Sequence, residues 1–133
     1  MAIRYVISRD EIPVDQALAL LHTTAWAGAM PRADLVRAMQ HSVCVGAFDG
    51  DTLVGFGRAI TDHVTFVYWT DIVVDATRRG DGIGKGLVRT LLAHPELQVS
   101  RRTALLTRDA QGLYAQYGFK EGAGESSYME KKD

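Results

Sequence analysis

The amino-acid sequence predicts an α/β (or α+β) domain in which helices flank a mixed β-sheet. The first observation behind this prediction is the order of the elements, which is strand, two helices, three strands, helix, strand, helix and strand. The second is a glycine-rich segment between the most strongly patterned strand and an amphipathic helix. With 133 residues the chain is long enough for one domain with a core and too short for two, so we expect a single domain over residues 1–133.

A strand and two helices are predicted in the N-terminal third. Residues 3–8 are a candidate first strand. Pro13 and Pro31 each suit the first turn of a helix, because the N–H that proline lacks has no partner in that turn. Apolar residues recur at helical spacing after both prolines, so a helix is predicted to follow each of them.

Three consecutive strands are predicted next. Val43–Asp49 and Thr52–Thr61 flank Gly50 and Asp51, which form a turn of the kind that joins antiparallel strands. The third strand covers residues 64–75 and is rich in β-branched and aromatic residues.

The remainder of the chain is predicted to contain two helices and two short strands. The first helix runs from the glycine-rich segment to about His94, where Pro95 stops it. The other elements are a strand over residues 103–107, a helix over residues 110–117 with Asp109 as its N-cap and Gly118 after its end, and a last strand or hairpin over residues 119–129.

Composition and charge exclude several classes of protein. Fifteen Lys and Arg stand against sixteen Asp and Glu, so the chain lacks the basic excess of nucleic-acid binders. Cys44, the single cysteine, lies in an apolar run and is predicted to be a buried thiol rather than a reactive one. Neither a signal peptide nor a membrane span is predicted, so we expect a cytoplasmic protein. The four histidines lack metal-ligand spacing, so no metal is expected at His22, His41, His63 or His94.

The glycine-rich segment over residues 77–86 predicts a phosphate-binding loop. Glycines let the main chain turn sharply toward a ligand, and the N-terminus of the following helix adds unsatisfied donors. Two common phosphate loops do not fit. The P-loop pattern requires glycine where Arg79 stands, and the dinucleotide pattern requires glycine where Lys85 or Leu87 stands. Cationic side chains surround the same point, namely Arg78, Arg79, Lys85 and Arg89.

Two motifs and the order of the elements resemble the GNAT superfamily of acyl-CoA-dependent N-acyltransferases. The first motif is Arg79-x-x-Gly82-x-Gly84, here in the longer form Arg-Gly-x-Gly-Ile-Gly, directly after a strand. The second is Leu113-Tyr114 with Gly118-Phe119 behind it, after the next strand. The resemblance covers nearly the whole chain and implies a GNAT-type sheet that is mixed, mostly antiparallel and flanked by helices.

The resemblance implies acetyl-CoA as co-substrate and a direct transfer of its acetyl group to an amine in a ternary complex. In the family, backbone N–H groups of the loop hold the coenzyme pyrophosphate, and the pantetheine arm lies along the end of the preceding strand. Asp109 matches a position that is often Asn near this arm, and it could equally be only a helix cap. Carried over to this chain, the coenzyme contacts are Ile72, Val73, Val74, Arg79, Gly80, Asp81, Gly82, Ile83, Gly84, Lys85, Asp109 and Tyr114.

Tyr114 and Asp71 are the candidate catalytic residues. Tyr114 matches the tyrosine with which many family members protonate the departing thiolate, although its helical spacing also fits a core position. Asp71 is an isolated carboxylate in an apolar strand. It could accept a proton from the amine, bind the substrate ammonium or make a structural hydrogen bond. Some family members carry an acidic pair here, and Thr70 occupies the first position of that pair in this chain.

The acceptor is predicted to bind between residues 26–32 and 121–128. A small-molecule amine is the leading expectation. A protein or peptide amine is one alternative, and a non-catalytic acyl-CoA sensor or interaction domain is another. Because family members are often dimers, a homodimer is also expected. The side chains that would make the acceptor pocket partly aromatic or bind an acceptor carboxylate are Trp26, Met30, Arg32 and Trp69.

Overall fold

The computed structural model describes residues 2–98, 101–122 and 127–132. Within these residues five strands form one sheet in the order β1-β2-β3-β4-β5, with β4 and β5 parallel and the other neighbours antiparallel. The predicted mixed, mostly antiparallel sheet is confirmed. The elements are β1 (Arg4–Val6), α1 (Val14–Leu21), α2 (Arg32–Gln40), β2 (Val43–Asp49), β3 (Thr52–Thr61), β4 (Val67–Val74), α3 (Ile83–Ala93), β5 (Thr103–Leu105) and α4 (Gln111–Ala115), with short 3₁₀ turns at Arg9–Glu11, Ala76–Arg78 and Pro95–Leu97.

The N-terminal elements agree with the prediction, whereas β4 begins later than the sequence pattern indicates. β2 and β3 have the predicted bounds, and α1 and α2 start directly after the two prolines. The strand predicted from residue 64 begins at Val67, because the Asp62 carboxylate organises the preceding turn. Its Oδ1 accepts the backbone N–H of Val64 at 2.9 Å and that of Thr65 at 2.7 Å, so these donors do not join the strand ladder.

The C-terminal elements differ from the prediction in two places. Asp109 is not the N-cap of α4: the helix begins one residue later, and the Thr107 hydroxyl accepts the N–H of Ala110, the cap residue, at 3.0 Å. Gly118 ends this region at φ +92°, as predicted. The strand or hairpin predicted over residues 119–129 is not formed in its described parts, since β5 offers only a three-residue edge for pairing. Its middle, residues 123–126, lies outside the described residues.

Helices cover both faces of the sheet, and an apolar core lies under each pair of helices. α1 and α2 pack on one face, the α1/α2 face, and α3 and α4 pack on the other, the α3/α4 face. Ile83, Leu87 and Leu91, which the sequence places on one side of α3, are buried in the second core. Across the described ranges no helix is long and apolar enough to cross a bilayer, and no three potential metal ligands come together.

Gly86 lies in the middle of α3 because the Tyr5 side chain of β1 occupies the space that a Cβ would fill. A Cβ at residue 86 would overlap the Tyr5 hydroxyl and ring. We expect Gly86→Ala to lower the free energy of unfolding by about 1–3 kcal/mol, the usual cost of overpacking. In a Tyr5→Ala background the same change should raise it by about 1 kcal/mol, because alanine favours the helix. Urea denaturation of the four proteins measures both effects, and a change of the same sign in both backgrounds would contradict this explanation.

Candidate active site

The glycine-rich segment connects the end of β4 to the start of α3. Gly80 and Gly82 have φ angles of +91° and +81°, a left-handed conformation that residues with a Cβ disfavour. Gly82 is the N-cap of α3, and no side chain of the described chain caps the first turn. The N–H groups of this turn and the partial positive charge of the helix are therefore available to an anionic ligand.

The cationic side chains near this loop are of two kinds. Arg78 is paired with two carboxylates at the protein surface, with its Nη1 2.9 Å from Asp49 Oδ2 and its Nε 3.3 Å from Asp81 Oδ2. Arg79 and Lys85 are exposed to solvent. The negative charge of Asp81 is thus paired with Arg78. The exposed side chains of Arg79 and Lys85 are available to an anionic ligand at this loop.

One edge of β4 has no neighbouring strand over its C-terminal half. β5 pairs only with residues 67–69, and within the described residues no other strand adjoins this edge. Backbone N–H and C=O groups on this side of residues 70–74 are therefore open to a ligand. Gly84 of the loop lies against the same half of the strand, since a Cβ there would be 3.9 Å from Val74 Cγ2 and 3.7 Å from Leu113 Cδ2 of α4. The structure thus brings together the loop, the open edge of β4 and α4.

Tyr114 lies on α4 in a cluster of aromatic side chains. Its ring centroid is 6.4 Å from that of Trp69 and 5.8 Å from that of Phe119. Its hydroxyl makes no hydrogen bond to the described residues, and burial raises the pKa of the phenol. Trp69 Nε1 is buried and has no hydrogen-bond partner among the described residues. Tyr114 therefore packs like a core residue, yet its O–H is protonated and free to donate.

Asp71 is buried in β4, and both of its carboxylate oxygens accept hydrogen bonds. Oδ2 accepts from Arg58 Nε at 2.8 Å and Oδ1 accepts from Trp26 Nε1 at 3.0 Å. The residue stands at a β-bulge, where β4 has one residue more than β3, and its φ is +57°. Of the three roles that the sequence leaves open, this geometry favours the structural hydrogen bond, because a general base at this position would have to give up its arginine partner.

Arg58, the buried partner of Asp71, is a residue that the sequence analysis missed. Its side chain is 10% exposed, and its Nη1 also donates to Ser42 Oγ at 3.3 Å. The sequence does contain a signal for it, because Arg58 is an isolated charge between Gly57 and Ala59 in an apolar strand. Asp71 was singled out for the same reason. Recognising the pair requires the register between β3 and β4, which the sequence alone does not reveal.

The side chains predicted to line an acceptor pocket do not all lie together. Trp69 packs on the α3/α4 face, whereas Trp26 bonds to Asp71, which the β-bulge turns toward Arg58 on the α1/α2 face. The prediction that Trp69 shares a pocket with Trp26 is therefore wrong. Arg32 forms an ion pair with Asp15, in which Arg32 Nε lies 2.8 Å from Asp15 Oδ1. Met30 packs against the core of the α1/α2 face. Trp26 is 62% exposed and remains available to a ligand.

The other predicted residues have simpler environments. Cys44 is buried, as predicted, and burial raises the pKa of its thiol, which disfavours the nucleophilic thiolate. Asp109 is exposed before α4, and its side chain forms no hydrogen bond with the described residues. In the predicted acceptor segment 121–128, residues 123–126 lie outside the described part of the chain.

Two sequence comparisons agree with this geometry. The chain matches the family model of the acetyltransferase (GNAT) domain over residues 40–121, a range that runs from before β2 through α4. A protein of Gibberella zeae that bears the name of an acetyltransferase is 32% identical over 136 residues. The alignment covers 83% of this chain and 75% of that protein.

Solved structures share the same fold. A protein of Xanthomonas campestris assigned to the GNAT family is 36% identical and superposes with a TM-score of 0.92, over 100% of this chain and 94% of its own. An acetyltransferase from Clostridium acetobutylicum, whose crystal structure contains acetyl-CoA, superposes with a TM-score of 0.72 over 97% of this chain and 96% of its own. At 16% identity the likeness to this second protein extends to the fold alone.

Proposed function

Because the chain belongs to the GNAT family of acetyltransferases and is an acyltransferase, we propose that it transfers the acetyl group of acetyl-CoA to a primary amine of a small molecule. The amine attacks the thioester directly while both substrates are bound. The observation that carries this proposal is the open edge of β4 beside the uncapped start of α3, which suits an extended ligand that ends in phosphates.

The loop and the open edge bind different parts of the coenzyme in this proposal. N–H groups of residues 79–85 hold the pyrophosphate, and the exposed side chains of Arg79 and Lys85 add positive charge. Backbone groups of residues 72–74 bind the pantetheine arm, and Asp109 is proposed as a further contact of that arm. The acetyl-CoA in the Clostridium acetobutylicum relative supports this choice of acyl donor.

Tyr114 is proposed as the acid of the reaction. As the amine nitrogen bonds to the acetyl carbon, the C–S bond breaks and sulfur leaves as a thiolate. The Tyr114 hydroxyl donates its hydrogen to this sulfur, and the raised pKa of the phenol keeps it protonated beforehand. The ammonium first loses one proton to water and becomes the nucleophilic amine. After the nitrogen has bonded to the acetyl carbon it loses a second proton, which restores the Tyr114 phenol, so in this proposal water rather than a carboxylate accepts the first proton.

Asp71 is proposed to position β4 rather than to accept a proton from the amine. Its negative charge is matched by Arg58, and both of its oxygens already accept hydrogen bonds. To accept a proton, the carboxylate would have to give up one of these hydrogen bonds. It holds the bulge at the point where the open edge of β4 begins.

A thiol-release assay with acetyl-CoA and a panel of amines tests the proposed function. Acetyl-CoA and CoA, but not ATP, should raise the Tm, with about 2.7 kcal/mol of stabilisation at 100 times the Kd. Thiol release with a small amine supports the proposal. Release with peptide amines alone would assign the chain a protein acceptor, and coenzyme binding without turnover of any amine would make it an acyl-CoA sensor.

A further inference from the structure

Exposed apolar side chains lie on the α1/α2 face of β3 and β4. Ile60 of β3 and Tyr68 of β4 form a cross-strand pair. Their chain neighbours Ala59 and Trp69 belong to the core of the α3/α4 face, so Ile60 and Tyr68 point to the α1/α2 face. Ile60 is 45% exposed and Tyr68 is half-buried, so α1 and α2 leave this part of the sheet uncovered.

Two more aromatic side chains extend this surface. Trp26 is anchored to Asp71 through its indole N–H, and its ring is largely exposed. Tyr128 is 66% exposed, and its hydroxyl donates to Glu130 Oε1 at 3.0 Å. The resulting surface, here called the aromatic-acidic face, consists of Trp26, Ile60, Tyr68, Tyr128 and Glu130.

Glu130 adds a carboxylate to the aromatic-acidic face, and the exposed Lys131 and Lys132 follow it in the chain. Burial raises the pKa of Tyr68, and the carboxylates of Glu130 and Asp71 raise it further, so both carboxylates lie near this phenol. The charge of the Asp71 carboxylate is neutralised by Arg58, whose Nε lies 2.8 Å from Asp71 Oδ2. Glu130, in contrast, forms no ion pair with the described residues. The Glu130 carboxylate can therefore pair with an ammonium group of a ligand.

We propose that the aromatic-acidic face binds the acceptor, and that this acceptor is a primary ammonium on an aromatic body without a carboxylate of its own. The inference rests on the proposed function. Aromatic rings bind a flat apolar body and attract a cation above their faces, while Glu130 attracts the ammonium and repels a carboxylate. Arg58, which Asp71 joins to Trp26, is already paired with the carboxylate of Asp71.

Three amines test separately, in the thiol-release assay, the preference for an aromatic ring and the exclusion of a carboxylate. Phenylalanine has the ring of 2-phenylethylamine and adds a carboxylate, whereas ethylamine has the amine without the ring. We expect kcat/KM for 2-phenylethylamine to exceed both others by about tenfold or more. Any other order, including equal values for the three amines, overturns the inference and leaves acetyl transfer in place.

Tryptophan fluorescence gives a readout that does not depend on turnover. The chain has two tryptophans, the exposed Trp26 and the buried Trp69. With CoA bound, 2-phenylethylamine should change the fluorescence of Trp69→Phe, which keeps Trp26, and not that of Trp26→Phe. If the fluorescence changes but no amine is acetylated, binding at the aromatic-acidic face is supported and the proposed function is contradicted. Its absence overturns the inference, whether or not the amine is acetylated.

Glu130→Gln tests the charge of the face. This variant should raise KM for 2-phenylethylamine about tenfold and leave KM for acetyl-CoA unchanged. Glu96→Gln, at an exposed glutamate in the turn after α3, is the matched control and should change neither constant. An unchanged KM for the amine in Glu130→Gln overturns the inference that this carboxylate binds the ammonium.

Discussion

Replacing Arg58 with methionine is expected to lower the free energy of unfolding by about 3–5 kcal/mol. The change leaves the carboxylate of Asp71 buried in β4 without the guanidinium that now lies 2.8 Å from it. A buried charge that loses its partner keeps its full desolvation cost, which methionine cannot offset although it fills similar volume. Urea denaturation at pH 7 measures the loss.

A second substitution distinguishes the loss of charge pairing from a loss of packing. Asp71→Asn removes the orphaned charge, tolerates the left-handed backbone at φ +57°, and keeps an oxygen for the Trp26 indole N–H. The double variant Arg58→Met/Asp71→Asn should therefore be more stable than Arg58→Met alone. A single variant within about 1 kcal/mol of the parent, or a double variant less stable than the single one, would contradict the importance of this ion pair.

Tyr114→Phe is expected to lower kcat by about 100-fold and to leave KM for acetyl-CoA unchanged. The substitution removes the hydroxyl that we propose as the proton donor to sulfur, and it keeps the ring that packs on Trp69 and Phe119. Because this hydroxyl has no hydrogen-bond partner among the described residues, the Tm should stay nearly the same. Steady-state kinetics with a saturating amine and a thermal melt measure the two effects.

The pH dependence and a neighbouring tyrosine provide the controls for Tyr114. Burial raises the pKa of its phenol above 10, so deprotonation of Tyr114 should not lower kcat between pH 7 and about 9.5. Tyr117→Phe, on a half-buried tyrosine just after α4, should keep the parent rate. Equal rates for the parent and Tyr114→Phe throughout this pH range would exclude Tyr114 as the acid.

The secondary structure could be predicted where local chemistry decides it. The turn between β2 and β3 contains Gly50 at φ +60°, and the prolines stand directly before α1 and α2, so their boundaries are encoded within a few residues. The start of α4 was missed because the hydroxyl of Thr107, rather than the side chain of Asp109, accepts the N–H at the cap. The strand predicted after α4 would need a neighbouring strand to pair with, and β5 is only three residues long. The length of β5 depends on tertiary packing, so the hydrophobic pattern of the sequence does not reveal it.

The candidate site likewise contains features that the local sequence predicts and features that depend on the tertiary structure. The loop was predictable because Gly80 and Gly82 must adopt a left-handed backbone, a requirement that the residue type itself reveals. The ion pair of Arg58 with Asp71 depends on strand register, and the approach of Glu130 to Tyr68 depends on the path of the chain after α4. The cytoplasmic location and the homodimer stay predictions from the sequence.

Isothermal titration of acetyl-CoA into Gly82→Asp and Gly82→Asn tests most directly the central claim that the start of α3 holds the coenzyme phosphates. Both new residues tolerate the left-handed backbone of Gly82, at φ +81°, and both can cap the helix, so both variants should fold. Asp alone adds a negative charge where the pyrophosphate would lie. We predict a Kd for acetyl-CoA about tenfold or more higher in Gly82→Asp than in Gly82→Asn. Equal dissociation constants in the two folded variants would contradict the claim.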